Sequence, residues 1–237
     1  MRPIIPLLAL WTCLAGAPPK TGLDQSPCPS RSTIQNRLDQ VTLSPGIPGA
    51  SLALIRPDGT IHTWVSGWAD PDRQTPMRPE HRFLSGSTGK TLIMALVMRA
   101  VGSGRLSLDQ TLDTCLGAPT LLGKIPCLQT LTLRHLLNHT AGLKEYVENP
   151  ELWAEIHRHP DRSWTGEERM DFIRRAPVDT TPGWHYADTH YILLGMVLEH
   201  LEQIPLEEIL STQLIKPLSL HHTLCASRRD LPDLANG

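Results

Sequence analysis

The chain has 237 residues, 40% of them hydrophobic, and its 22 Lys and Arg against 24 Asp and Glu leave a net charge of −2. That is the make-up of a globular protein of one or two compact units, with no cationic excess to draw it to nucleic acid. The 11 histidines include His135 and His139 at helix spacing and the pair His221-His222, but no carboxylate or cysteine pattern completes a metal site, so no metal or cofactor is expected.

The chain opens with Met1-Arg2, then Ile4, Ile5, Leu7, Leu8, Ala9, Leu10 and Trp11, then small residues through Ala17. This pattern predicts an export signal over residues 1–17 and a periplasmic or secreted protein. The apolar run is shorter than the ~20 residues that span a bilayer, so no integral membrane segment is expected once the signal is gone. Ala15 offers the cut, since a cut after Ala17 would leave Pro18 at the new terminus. Cys13 could mark a lipid-anchored start, but Trp11-Thr12 before it is not the usual small pair. Removal of the signal leaves Cys28, Cys115, Cys127 and Cys225, which allow three connectivities. A bridge between Cys115 and Cys127, across a segment with Gly117, Pro119 and Gly123, is the first candidate, and free thiols are the alternative.

A domain is expected over 32–237. From Ser32 to Val41 a short helix is predicted, with Ile34, Leu38 and Val41 on one stripe. The period then changes: 50–55 and 60–65 read as strands joined by a hairpin at Pro57-Asp58-Gly59. Trp68 to Pro79 reads as loop. A helix apolar on most sides, and therefore central, follows to about Gly102-Ser103-Gly104. Helical segments then dominate at 131–138, 150–159, 165–175, 189–201 and 206–214, and Thr165-Gly166-Glu167-Glu168 has the form of a capping box. Strands first and helices later predict an α+β fold, a sheet with packed helices plus a helical region. Trp64, Trp68, Trp153, Trp164 and Trp184 are expected to fill core and interface gaps.

At the head of the apolar helix stands Gly86-Ser87-Thr88-Gly89-Lys90. A serine hydroxyl needs an adjacent base to become a nucleophile, and a lysine serves if burial lowers its pKa. Spacing three puts Lys90 beside Ser87, and Gly86 permits a sharp entry into the helix. Gly89-Lys90-Thr91 resembles the end of a phosphate loop, but that motif needs glycine where Leu84 stands. The structural alternative is a serine that caps a buried helix. Farther on, Tyr186 and Asp188 lie on a loop feeding the helix at Thr189, where catalytic groups are often held. A tyrosine near a cation can relay a proton. Alternatively it is a buried tyrosine, with Asp188 as the helix cap.

Together these motifs resemble the serine β-lactamase and penicillin-binding-protein superfamily, in the branch of class C β-lactamases and D-Ala-D-Ala carboxypeptidases. The resemblance rests on Ser87-Thr88-Gly89-Lys90, on Tyr186-Ala187-Asp188 in place of Tyr-x-Asn, and on His139-Thr140-Ala141-Gly142-Leu143, similar to a His-Thr-Ser-Gly-Leu segment. Pro48-Gly49-Ala50 and Gly104 to Asp109 agree in order and context. The resemblance implies Ser87 as acylated nucleophile, Lys90 as its base and Tyr186 as proton relay to the leaving group. Asp188 would contact substrate, and His139 would support the fold. Substrates would be D-alanyl peptides of peptidoglycan origin, β-lactams or small esters and amides.

Two departures qualify what is expected. Asp188 offers a charge where the family has an amide, which would raise the pKa of a nearby Lys90 and repel substrate carboxylates, favouring esters or neutral amides. After Ser219 nothing matches the family's Lys-Thr-Gly or His-x-Gly strand, which supplies one oxyanion donor. Late sheet strands are therefore expected to be missing, as in the front of a longer enzyme, and loss of one donor typically costs about 10² to 10³ in turnover. The competing expectation is a truncated, non-catalytic chain that binds cell-wall peptides or needs a partner to complete its site. The sequence leaves the oligomeric state open.

Overall fold

The computed structural model describes residues 29–117, 125, 128–174, 176–179, 181, 183–225, 231 and 233–235. Helix α1, Arg31–Thr42, starts where Ser30 Oγ accepts from the Thr33 N–H at 3.1 Å. Ile34 and Leu38 of its expected stripe are half-buried, while Val41 is exposed. Polar bonds tie the helix to the neighbouring strand: Gln35 Nε2 donates to the Val65 carbonyl at 3.0 Å, and buried Trp64 donates Nε1–H to the Arg31 carbonyl at 3.2 Å.

Strands β1, Gly49–Ile55, and β2, Ile61–Asp70, pair antiparallel from Gly49↔Gly67 to Ile55↔Ile61 across the expected hairpin. β2 runs past the predicted end at Val65, because Thr75–Pro76 folds back as β3 and pairs with it across an irregularity between Trp68 and Asp70. Part of the predicted loop from Trp68 is thus strand. The order in this three-stranded sheet is β1-β2-β3.

The helical body follows: α2, Lys90–Gly102; α3, Leu112–Leu116; α4, Leu133–Leu137; α5, Pro150–Arg158; α6, Gly166–Met170; α7, Asp188–Glu202; and α8, Leu206–Leu210. The centre is α7, not α2. Leu193, Leu194, Val197 and Leu198 recur at helical spacing and are essentially unexposed. They meet Leu133 and Leu136 of α4, Met170 of α6 and Ile209 of α8 in one core, and each such side chain contributes roughly 1.5–3 kcal/mol. α2 buries Leu96, Val97 and Ala100 but leaves Met94 and Met98 exposed, so its apolar character is wider than its buried face.

The helix predicted over 165–175 is shorter. The capping box forms, with Glu168 N–H on Thr165 Oγ1 at 3.2 Å and Thr165 N–H on Glu168 Oε2 at 2.8 Å, and the chain then tightens to a 3₁₀ turn at Asp171–Ile173. The mixed sheet and helices make the fold α+β, as expected. Of the tryptophans, Trp64 is buried, whereas Trp68, Trp153 and Trp184 are exposed. Cys115 is buried and free, its Sγ–H directed at the Thr111 carbonyl at 3.2 Å; Cys127, its expected partner, lies outside the described residues. Among the described residues no helix is long and apolar enough to cross a membrane.

Candidate active site

Gly86–Gly89 forms a 3₁₀ turn that runs directly into α2. Gly86 has φ +50°, a left-handed conformation that favours glycine. In a 3₁₀ turn side chains three apart eclipse one another, so the geometry aligns Ser87 with Lys90 more tightly than an α-helical turn would. Lys90 Nζ lies 3.0 Å from Ser87 Oγ.

The second half of the site arrives 99 residues after Ser87, at Tyr186 on the extended segment before α7. Tyr186 Oη is 2.7 Å from Ser87 Oγ and 3.2 Å from Asp188 Oδ1. Asp188 also forms an ion pair with Lys90. All four predicted site residues therefore meet in one hydrogen-bonded cluster. One expectation fails: Asp188 does not cap its helix. Ala187 is the N-cap without a side-chain bond, Asp188 is the first helical residue, and its carboxylate turns to Lys90 and Tyr186. Attraction between two full charges outweighs a carboxylate's bond to an uncharged backbone N–H. The N–H of Asp188 is instead accepted by the Glu145 carboxylate, a contact that no local pattern signals.

Tyr186 is held from behind by His139, whose ring stacks on it at 4.5 Å between centroids. His139 accepts the Ala187 N–H on Nδ1 at 3.3 Å, and its carbonyl accepts the His185 N–H at 2.7 Å. The same Nδ1 is 2.9 Å from Nδ1 of fully buried His190, so His190 carries its proton on Nδ1 and donates. The motif around His139 thus acts as a bracket for the tyrosine. Lys90 Nζ sits 5.0 Å over the Tyr186 ring and 5.8 Å from that of Tyr191, within reach of cation–π attraction.

Burial pulls the Lys90 ammonium down, but its hydrogen bonds to Asp188 and Tyr186 and the Asp188 charge outweigh it, and the balance is upward. This is the direction expected of an aspartate at that position. Burial pushes the Glu145 carboxyl up, against the backbone N–H groups of Asp188 and Val147. Burial likewise lowers His139, helped by the Lys90 charge.

For His190, burial first and then His139 and His185 push the pKa down to about 4 from an ordinary 6.5. As pH falls the unfolded chain takes up this proton before the folded one does. The stability tied to neutral His190 is whole above about pH 6.5 and is lost toward pH 4, by roughly 3 kcal/mol. Urea midpoints at pH 7.5 and 4.5 are expected to show that fall, and His190→Gln to reduce it. Equal midpoints in the parent chain would contradict it.

Ser87, Lys90 and Asp188 face a cleft of about 1090 Å³ whose walls also include Tyr146, Trp164, Arg169 and Met196. A cleft of this volume accommodates a small molecule or short peptide.

The Beta-lactamase family model matches residues 31–230. Penicillin-binding protein 4 of Amycolatopsis lactamdurans is 28% identical over 192 residues, 80% of this chain and 48% of that protein. A D-stereospecific amidohydrolase from Streptomyces sp. superposes with a TM-score of 0.69 at 27% identity, over 81% of this chain and 56% of that one. A D-amino acid amidase from Ochrobactrum anthropi SV3 does so with a TM-score of 0.66 at 30% identity, over 79% and 50%. The chain spans about half the length of the curated relatives it matches. With a serine, lysine and tyrosine joined by hydrogen bonds and a family match across nearly all the described residues, the chain belongs to the Beta-lactamase family.

Proposed function

We propose that the protein is an exported serine hydrolase that forms an acyl-enzyme at Ser87, with Lys90 holding the serine oxygen and Tyr186 relaying protons. The observation that carries this reading is that Ser87 Oγ lies within hydrogen-bond distance of both Lys90 Nζ, at 3.0 Å, and Tyr186 Oη, at 2.7 Å. A nucleophile touching both a cation and a hydroxyl able to relay its proton is an arrangement acyl transfer can use. Ser87 Oγ attacks the substrate carbonyl carbon, its proton leaves through the cluster, and the leaving nitrogen or oxygen takes a proton back from Tyr186. Water then releases the acyl group. Export rests on the signal-like pattern of residues 1–17.

The substrate class we propose is small amides and esters without a carboxylate at the scissile end. Asp188 places a carboxylate against Lys90 and Tyr186, the two groups bonded to Ser87 Oγ, and Glu145 adds another behind it at the Asp188 N–H. An incoming carboxylate would be repelled there and would compete with Asp188 for Lys90. The D-amino acid amidase and the amidohydrolase to which the chain is similar support amides as the first substrates to try. Steady-state kinetics with D-phenylalanine amide and with a D-alanyl-D-alanine peptide test this. The amide is expected to have the higher kcat/KM by at least about tenfold, equivalent to ~1.4 kcal/mol. A preference for the carboxylate-terminated peptide would contradict it.

A further inference from the structure

We propose that the Ser87 proton comes to rest on the Asp188 carboxylate, reached through Tyr186, while Lys90 remains an ammonium throughout. This rests on the reading of Ser87 as an acylated nucleophile and names the group that makes it one.

An ammonium has three N–H donors and no lone pair, so beside Ser87 it can only give a hydrogen bond to Oγ. The Ser87 O–H then points away from Lys90, and Tyr186 Oη, 2.7 Å away, can give its own proton either to Oγ or to Asp188 Oδ1. A phenol has one proton. When Tyr186 accepts from Ser87, its own proton is free for Asp188 Oδ1, 3.2 Å from Oη. The chain Ser87 O–H to Tyr186 O–H to the Asp188 carboxylate has a donor and an acceptor at every link.

Lys90 completes the arrangement by donating to both ends, Ser87 Oγ and Asp188 Oδ1. A cation so placed stabilises negative charge as it develops on Oγ without giving up a proton. The balance of burial, hydrogen bonds and the Asp188 charge on Lys90 is upward, which keeps it an ammonium at neutral pH. Glu145 holds the Asp188 N–H and so fixes the start of α7 from which the carboxylate projects. Glu145 is a positioning residue.

The bond from Oγ to the carbonyl carbon forms while the Oγ proton passes to Oη and the Oη proton passes to Oδ1, and the carbonyl π pair moves onto oxygen. On collapse that pair re-forms the carbonyl and the carbon–nitrogen or carbon–oxygen bond breaks. The leaving atom takes a proton from Oη, and Oδ1 returns its proton to Oη. Asp188 ends as a carboxylate and Ser87 as an ester.

The opposite assignment, with Lys90 as base, makes Asp188 a hindrance, because it stabilises the ammonium. The two assignments therefore differ in the sign of one substitution. Burst kinetics with a p-nitrophenyl ester, with the acyl adduct counted by intact mass, read the acylation rate. Asp188→Asn is expected to slow acylation by about 10² to 10⁴, the range of general-base assistance. Lys90→Arg, whose guanidinium cannot serve as a base, is expected to slow it by less. A proton inventory on the unsubstituted protein, which needs no variant to fold, is expected to curve, with two protons in flight. Acylation by Asp188→Asn at the parent rate or faster, or a linear inventory, overturns the assignment and leaves the serine-hydrolase reading standing. An unsubstituted protein that takes no acyl group overturns both.

Discussion

Ser87→Ala is expected to lower kcat/KM for an amide or ester by on the order of 10⁶, the scale on which removal of a serine nucleophile acts. The side chain is exposed, so its loss leaves no cavity in the core, and folding stability is expected to stay within about 0.5 kcal/mol of the parent. Nothing else in the cluster can take over. Lys90 is paired with Asp188, and the Tyr186 hydroxyl is bonded to Ser87 Oγ and Asp188 with its ring under the Lys90 ammonium. Kinetics together with a thermal melt separate the two effects. A variant retaining one part in a hundred of the activity would place the nucleophile elsewhere.

The largest expected loss of stability from a single added carbon is at Gly142. Its φ is +66°, and a Cβ there would sit 1.9 Å from the Asp179 carbonyl oxygen and 2.9 Å from its carbon. Neither atom can move away cheaply, because the Asp179 N–H is bonded to the Gly142 carbonyl at 2.8 Å and holds the two backbones together. Gly142→Ala combines left-handed strain of about 1–3 kcal/mol with an overpacking cost of similar size. A loss of about 3 kcal/mol or more is expected, a melting temperature lower by roughly 6–12 °C. Gly102→Ala is the control, since a Cβ there meets nothing within 4 Å. Equal melting temperatures for the two variants would contradict the account. The close approach also explains why this glycine matters to the site: the segment carrying Asp179 leads on to Tyr186.

What was legible in the sequence was what neighbouring residues decide. The hairpin at Pro57-Asp58-Gly59, the Thr165 capping box and the meeting of Ser87 with Lys90 all depend on residues a few positions apart. What was not legible depends on partners far along the chain. Trp68 to Asp70 reads as loop until Thr75–Pro76 pairs with it. Asp188 reads as a helix cap until Lys90 claims its carboxylate, and Glu145 has no local signal for the backbone N–H it accepts. The apolar sequence of α2 suggested a central helix, but composition does not say which face is covered, and α7 takes that place. The His139 motif carries a family resemblance; its bracket on Tyr186, through ring stacking and the His190 contact, depends on residues far along the chain.

The central claim is that Ser87 becomes acylated. The folded protein should be exposed in parallel to a fluorescent penicillin and to an activated ester, then examined by intact-mass spectrometry and peptide mapping, with Ser87→Ala alongside. The account predicts one acyl group, from the ester at least, on the peptide containing Ser87 and none on the variant. No adduct from either reagent, on protein shown by circular dichroism to be folded, or an adduct that survives in Ser87→Ala, would contradict it.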